Sequence, residues 1–259
     1  MKSFLIILKY ELFCLFISPA TYVATFYFLS LMALGFRFFI ESFASSDWIL
    51  PPLASLVVGM LFGSPALIPF ITMRSFAEER RLGTLETLIS APISISLLVI
   101  GKWTACFLFF LFISLLSFGF PLLLFMVFPE QGNNLGFNII SHWVGSGIFL
   151  IIFGGTFTAI GIFSSALTKN LMVAGMLTFS LITAYLSIMT FSFGKSSSVE
   201  YSSKLDHFIN SCTGSLGNGL EKLDHFSVGL IDINTILNQI VLIVFFLVLS
   251  IIKIERINN

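Results

Sequence analysis

Side chains of the kind that bind metal ions occur in a repeated pentapeptide. Residues 204–208 and 222–226 both read Lys-Leu-Asp-His-Phe, so each copy carries an adjacent aspartate and histidine. Two such pairs could ligate zinc. However, neighbouring residues on a helix point to different faces, and no other ligand pattern accompanies them. We therefore interpret the repeat as a solvated helical segment whose Leu and Phe side chains pack on the rest of the protein.

The sequence contains no motif of a common catalytic site. A phosphate-binding loop requires G-x-x-x-x-G-K-[ST], and the nearest segment, residues 189–196, begins with Met189 instead of glycine. There is no H-E-x-x-H, C-x-x-C or G-x-S-x-G motif either. We expect a non-catalytic chain without a metal or cofactor of its own, in which the three cysteines are free thiols.

The densest group of charges lies in residues 71–94, between two apolar runs. Ser75 and Glu78 have the spacing of a capping box, which predicts that a helix begins near Phe76. Pro92 would end this helix. Apolar residues recur at steps of three and four, which indicates a short amphipathic helix with one apolar stripe, formed by Leu82, Leu85, Leu88 and Ile89.

The polar face of this predicted helix carries both signs of charge. An amphipathic helix that rests in lipid headgroups usually has a face rich in Lys and Arg. Mixed charge suits a protein partner better, although a helix that only lies in the headgroup region is the alternative. The charges are those of Glu78, Glu79, Arg80, Arg81 and Glu86.

The same residues resemble a known family. The run from Met73, M-R-S-F-A-E-E-R-R-L-G-T-L-E-T-L-I-S-A-P-I, followed by Gly101 and Lys102, is similar to the first cytoplasmic loop of type 2 ABC transporter permeases. The similarity is greatest to the branch that includes the gliding-motility-associated and copper-processing permeases. The segment 223–236, LDHFSVGLIDINTI, resembles the stretch before the last span of that branch.

The resemblance implies a partner and a set of contacts. In that family this loop carries the coupling helix, which sits in a groove of a separate ATPase subunit that binds ATP and magnesium. It also implies a permease dimer, with an identical or a second permease chain, and an extracytoplasmic auxiliary protein in some members. The implied ATPase contacts are Arg74, Glu78, Glu79, Arg80, Gly83, Thr84 and Glu86.

The composition is that of an integral membrane protein. Apolar residues make up 57% of the 259 residues and charged residues 10%, and the mean hydropathy is +1.02, whereas about a quarter of the residues of an average globular domain are charged. The formal net charge is zero, which gives no overall attraction to nucleic acid. The chain should be a single transmembrane domain over residues 1–259.

Six stretches are long enough to cross a bilayer, which takes about twenty apolar residues. Residues 1–20 should form an interfacial helix that ends at Pro19, with Lys9 and Glu11 in the headgroup region. Gly119 and Pro121 predict a kink in the third span, and Pro65 and Pro69 predict a broken or bent second span. The six predicted spans are 21–39, 53–71, 103–128, 143–167, 171–193 and 236–254.

The distribution of Lys and Arg predicts the orientation. With both termini in the cytoplasm, nine of the 13 basic residues lie on the inner side and four on the outer side. The charged loop, residues 74–94, is then cytoplasmic, and the polar segment 194–235 is a small extracytoplasmic helical segment. We expect a multi-pass protein of the bacterial cytoplasmic membrane.

Glycines form two patterns that are typical of close helix packing. Gly59 and Gly63 form a G-x-x-x-G pair in the second span, which could pack within the chain or line a dimer interface or substrate path. Gly147, Gly154 and Gly161 recur every seven residues in the fourth span. We expect them to form one packing seam.

Two functions fit these observations. The leading hypothesis is the membrane subunit of an ABC exporter, and the alternative is a membrane anchor or assembly component of a motility or surface machinery driven by the same ATPase. A secondary carrier is disfavoured, because such carriers keep ionisable residues at membrane depth and the predicted spans have such groups only near their ends.

Overall fold

The computed structural model of the protein describes residues 2–45, 52–85, 94–134, 137, 139–191, 226 and 232–258. Within these ranges the chain is helical and has no β-strand. The described helices are α1 (Lys2–Ile17), α2 (Pro19–Ser45), α3 (Pro52–Leu82), α4 (Ile95–Ser117), α5 (Gly119–Val127), α6 (Pro129–Asn134), α7 (Ile140–Leu167), α8 (Leu171–Phe191) and α9 (Ile233–Asn258).

Among the described residues, six helical stretches are long and apolar enough to cross a membrane: α2, α3, α4 with α5, α7, α8 and α9. The described part of the protein is therefore all-α, and its six long apolar helices are those of a multi-pass membrane protein, as the composition predicts. Two breaks lie where the sequence predicts them. Ser18 separates α1 from α2 beside Pro19, and Phe118 separates α4 from α5 beside Gly119 and Pro121.

The centre of the bundle is formed by α3 and α7, which are the most buried of the six spans. Helix α3 packs against α2, α7 and α8, while α9 packs on α7 and α1 packs on α4. Much of the outer surface of α2, α8 and α9 is apolar and exposed, as in a lipid-facing helix. Phe226, which belongs to the second pentapeptide, is buried with its ring centroid 5.6 Å from that of Phe149 on α7.

Helix α3 runs through Pro65 and Pro69 without interruption, so of the two predicted outcomes, a broken or a bent second span, the broken one is wrong. Pro65 has no N–H to donate to the carbonyl of Leu61. The Ser64 hydroxyl donates to that carbonyl instead, at 2.6 Å. Side-chain hydroxyls commonly satisfy backbone groups freed by proline in membrane helices. The Ser64 hydrogen bond satisfies the Leu61 carbonyl, so the helix can continue past Pro65.

The predicted packing glycines do not share one partner. A side chain on Gly63 would meet Phe28 and Met32 of α2, one on Gly154 would overlap Phe110 of α4, and one on Gly161 would overlap Thr72 of α3. No described neighbour lies within 4 Å of a Cβ built at Gly147, so its packing role stays a prediction. Gly59 lines a small groove between α2 and α3 beside Gly63.

A hydrogen-bonded chain links α7, α8 and α9 inside the bundle. Thr156 Oγ1 donates to Gln239 Oε1 at 2.8 Å, and Gln239 Nε2 donates to Tyr185 Oη at 2.6 Å. All three side chains are buried. Hydrogen bonds of this kind fix the rotation of one membrane helix against another.

Replacing Gln239 with leucine should lower the free energy of unfolding by about 1 kcal/mol, the usual scale of a hydrogen bond between membrane helices. The loss arises because the buried Tyr185 hydroxyl loses the donor Gln239 Nε2, while the Thr156 hydroxyl keeps only the Ile152 carbonyl as an acceptor. Unfolding in mixed detergent micelles measures it. In a double-mutant cycle with Tyr185→Phe, the two losses should not add; fully additive losses would contradict the link.

Candidate functional site

A buried ion cluster joins three helices at the C-terminal end of α3. Lys102 of α4 has 1% of its side chain exposed, and its ammonium group pairs with Glu11 of α1 and, at 2.7 Å, with Glu79 of α3. The ammonium nitrogen also lies 5.2 Å from the centre of the Phe76 ring. We call Glu11, Glu79 and Lys102 the Lys102 cluster. A charge this deeply buried is tolerated only when it is paired, so the cluster holds α1, α3 and α4 together.

A second ion pair lies one helical turn back along α3. Arg74 Nε donates to Glu78 Oε2 at 2.7 Å and Arg74 Nη2 donates to Glu78 Oε1 at 3.1 Å. Such two-point contacts between guanidinium and carboxylate are directional and strong. Arg74 Nη1 also donates to the hydroxyl of Ser18, at the junction of α1 and α2. The ion pair lies within α3, and the Arg74–Ser18 hydrogen bond adds a further link between α3 and the N-terminal part of the chain.

Ser165 of α7 contacts the C-terminal end of α3 on another side of the helix. Its buried hydroxyl accepts hydrogen bonds from the backbone N–H groups of Phe76 and Ala77 at 3.1 Å and donates to the carbonyl of Met73 at 3.1 Å. In a regular α-helix Ala77 would donate to Met73 directly. The Ser165 hydroxyl bridges these two groups and ties α7 to the backbone of α3.

Beyond these contacts the chain forms an exposed turn. Helix α3 ends at Leu82, and Gly83 has a φ of +74°, a conformation that glycine adopts without strain. Helical backbone resumes at Thr84. Arg81, Leu82, Gly83 and Thr84 are exposed, and the Leu82 side chain is 63% exposed. We call residues 81–84 the Gly83 turn.

The structure corrects the predicted start of the amphipathic helix. Ser75 lies inside α3, where its hydroxyl contacts the Cys106 thiol at 3.4 Å, so it is not a helix cap. The predicted separate helix from Phe76 is instead the last part of α3. The part of its apolar stripe that the structure describes is also wrong: the positive φ of Gly83 ends the helical register, which leaves Leu82 exposed and Leu85 buried. Leu88 and Ile89 lie outside the described residues.

The residues that the resemblance implies as ATPase contacts fall into two groups in the structure. Arg74, Glu78 and Glu79 are held in ion pairs within the chain, and Arg80 donates from Nη1 to the carbonyl of Ala166 at 2.8 Å. Gly83 and Thr84 lie in the exposed turn, where the Thr84 hydroxyl donates to the Glu79 carbonyl at 3.3 Å. Glu86 lies outside the described residues, as do the Asp and His residues of both pentapeptides.

Sequence reasoning missed Glu11, Lys102 and Ser165. It also placed no ionisable group inside a span, whereas α4 begins at Ile95, so Lys102 lies two turns inside that helix. Lys102 could have indicated an ion pair from the sequence alone, because a single lysine between two apolar runs requires a counter-charge. Its partners are 91 and 23 residues away in the chain, and only the helix packing identifies them.

In the part of the chain that the structure describes, no three His, Cys, Asp or Glu side chains are grouped as metal ligands. A comparison with models of protein families found no match to this chain, and a comparison with curated proteins found no significant match. The described site is a charged helix end, held by the Lys102 cluster and Ser165, that carries an exposed turn.

Proposed function

We propose that the chain is the membrane-spanning permease subunit of an ABC exporter of the bacterial cytoplasmic membrane. It would work as a homodimer or as a heterodimer with a second permease. A separate ATPase subunit, which supplies ATP and magnesium, would dock on the Gly83 turn from the cytoplasm. The proposal rests on the resemblance of the sequence around this turn to the family's coupling loop, and on the geometry of α3.

The observation that carries the proposal is the continuity of α3 from the bundle to the turn. The helix has 31 residues, which at 1.5 Å per residue is about 46 Å. The hydrocarbon core of a bilayer is only about 30 Å thick. Because the charged end of the helix carries the Gly83 turn, a force applied at the turn would act directly on a central span of the bundle.

The contacts at the charged end of α3 would determine which other helices move when a partner pushes on the Gly83 turn. A partner that pushed on the Gly83 turn would move α3 together with α1 and α4, through the Lys102 cluster, and with α7, through Ser165. A shift of packed helices as one body is a common form of conformational switching. In this proposal Glu78 and Glu79 support the turn from inside, and Arg81, Leu82, Gly83 and Thr84 meet the ATPase.

The experiment is purification of the chain from its native membrane in mild detergent, with mass spectrometry of the proteins that stay bound. The expected result is a stoichiometric ATPase that contains a phosphate-binding loop. The double variant Arg81→Glu/Leu82→Glu should reduce ATPase capture by about tenfold or more, equivalent to roughly 1.4 kcal/mol or more. Both side chains are exposed and make no ion pair in the described structure, so their replacement changes the proposed docking surface without breaking an ion pair inside the chain.

The matched control is Arg37→Glu. Arg37 is 77% exposed and lies towards the other end of the bundle, in a pair with Glu41, so the control makes the charge reversal of Arg81→Glu away from the Gly83 turn. It should leave ATPase capture unchanged. Purification of the chain without any ATPase, or capture that survives the double variant, would refute the proposed docking.

A further inference from the structure

We propose that the basic residues at the C-terminal ends of α7 and α9 bind the phosphate of an anionic phospholipid, of the phosphatidylglycerol class. These residues are Lys169, in the link between α7 and α8, and Lys253 and Arg256, near the end of α9. We call them the Lys253 cluster. The site lies on this chain alone and does not require a partner ATPase.

Two contacts show that α7 and α9 run parallel and in register. Thr156 Oγ1 of α7 donates to Gln239 Oε1 of α9 at 2.8 Å. The ring centroids of Phe163 of α7 and Phe246 of α9 are 5.6 Å apart. On each helix the second residue follows the first by seven positions, which is about two helical turns and returns to the same face.

This register brings two lysines to one place. Seven residues beyond Phe246 is Lys253, and seven residues beyond Phe163 is Asn170, just past the end of α7. Lys169 is the neighbour of Asn170 in the chain. The ammonium groups of Lys169 and Lys253 therefore lie at the same end of the α7–α9 contact, although like charges repel each other there.

The described residues do not balance this positive charge. Lys169 and Arg256 are exposed, Lys253 is half-buried, and none of them forms an ion pair with a described residue. Arg80, which contacts the end of α7, also has no carboxylate partner in this part of the chain. Glu255 supplies one negative charge, and the C-terminal dipoles of α7 and α9 supply about half a charge each. An excess of about two positive charges remains for an anion.

The position of the cluster favours a lipid over a soluble anion. Arg256 continues an apolar stripe along α9 that consists of Phe245, Val248 and Ile252, each 42–54% exposed. On α7, Leu167 lies one turn beyond Phe163 and is 36% exposed. Basic side chains at the end of a lipid-facing stripe reach the level of the headgroups. A phospholipid can place its phosphate on the cluster and its acyl chains on the stripe, whereas an acidic protein would match only the charges.

The excess of positive charge also selects the headgroup. Lys and Arg side chains donate charge-assisted hydrogen bonds to phosphate oxygens, and basic groups between membrane helices are typical sites for anionic headgroups. Phosphatidylethanolamine and phosphatidylcholine carry an ammonium group that the cluster would repel. Phosphatidylglycerol carries the negative phosphate and a neutral glycerol, so it suits the cluster best.

The test is native mass spectrometry of the full chain in detergent micelles, freed of native lipid, with added phosphatidylglycerol, phosphatidylethanolamine or phosphatidylcholine. Phosphatidylglycerol should bind about tenfold more tightly than the other two lipids. Equal binding of the three lipids would overturn the selection by charge. Inorganic phosphate at the lipid concentration should not displace phosphatidylglycerol, and full displacement would overturn the lipid and assign the site to a soluble anion.

A double variant tests the location. Lys169→Gln/Lys253→Gln removes two charges while it keeps long polar side chains, and should weaken phosphatidylglycerol binding about tenfold or more. Lys253→Arg keeps the charge and should keep the binding. The matched control is Lys9→Gln, which removes an exposed lysine of α1 that forms no ion pair with a described residue, and should have little effect.

Two results would refute the site. Equal losses in Lys9→Gln and in the double variant would mean that the chain attracts anionic lipid diffusely. Unchanged phosphatidylglycerol binding in the double variant would exclude the Lys253 cluster as a lipid site. If the same variant also released an acidic protein from the chain purified from its native membrane, the cluster would be a protein-docking surface instead.

Discussion

Replacing Lys102 with methionine is expected to destabilise the folded chain by about 3–5 kcal/mol, the usual cost of removing one partner from a buried ion pair. Methionine fills a similar volume, so the loss is chiefly electrostatic. Glu11 and Glu79 are only 15% and 20% exposed, and without Lys102 they would face each other with no counter-charge. The measurement is reversible unfolding in mixed micelles with increasing denaturing detergent.

Two further variants separate this effect from a general loss of charge. Arg37→Met breaks an ion pair in which both side chains are more than half exposed, and should cost no more than about 1 kcal/mol. The triple variant Glu11→Gln/Glu79→Gln/Lys102→Met removes every charge of the cluster and should recover most of the lost stability. If Lys102→Met were no more harmful than Arg37→Met, the Lys102 cluster would not hold the helices together.

The sequence predicted the spans well because hydropathy and helix breakers are local properties. All six predicted spans correspond to described helices, and the breaks beside Pro19 and Pro121 lie where expected. A continuous run of apolar residues requires no knowledge of distant contacts. The polar segment 194–235 lies mostly outside the described residues, so its predicted role and topology remain predictions.

The end of α3 could not be predicted in the same way. The Ser75 and Glu78 pattern is a genuine capping sequence, but Cys106 and Ser165 are neighbours of this segment in the folded protein, and tertiary contacts override a local signal. Pro65 is a similar case, since Ser64 replaces the hydrogen bond that proline removes. Each outcome depends on a hydrogen bond that the residue pattern does not specify.

The spacing of Gly147, Gly154 and Gly161 predicted a shared face but not what covers it. These residues recur with a period of seven, yet α4 covers Gly154, α3 covers Gly161 and no described residue approaches Gly147. A period places residues on one side of a helix. The crossing of the helices sets how far along α7 each neighbouring helix extends, and a sequence period does not give this information.

Replacing Gly161 with alanine is therefore expected to destabilise the protein by about 1–3 kcal/mol, the cost of forcing an extra methyl group into a packed interface. The added Cβ would lie 2.7 Å from Thr72 Cγ2 and 2.8 Å from Thr72 Cβ. Thr72 cannot turn away easily, because its β-branched side chain is stiff and its hydroxyl donates to the Ile68 carbonyl at 2.9 Å. Helices α3 and α7 would have to separate.

Gly147→Ala is the matched control on the same helix. Apart from its own stretch of helix backbone, no described part of the chain lies within 4 Å of a Cβ built at Gly147. Alanine should therefore leave stability unchanged or raise it by up to about 1 kcal/mol through its higher helix propensity. Combining Gly161→Ala with Thr72→Ala should recover part of the loss, since two of the three crowding atoms are removed. Equal effects of the two glycine substitutions would mean that α3 and α7 do not approach as closely as these contacts require. Because α3 carries the Gly83 turn, a loosened α3–α7 contact would also weaken any motion passed from that turn into the bundle.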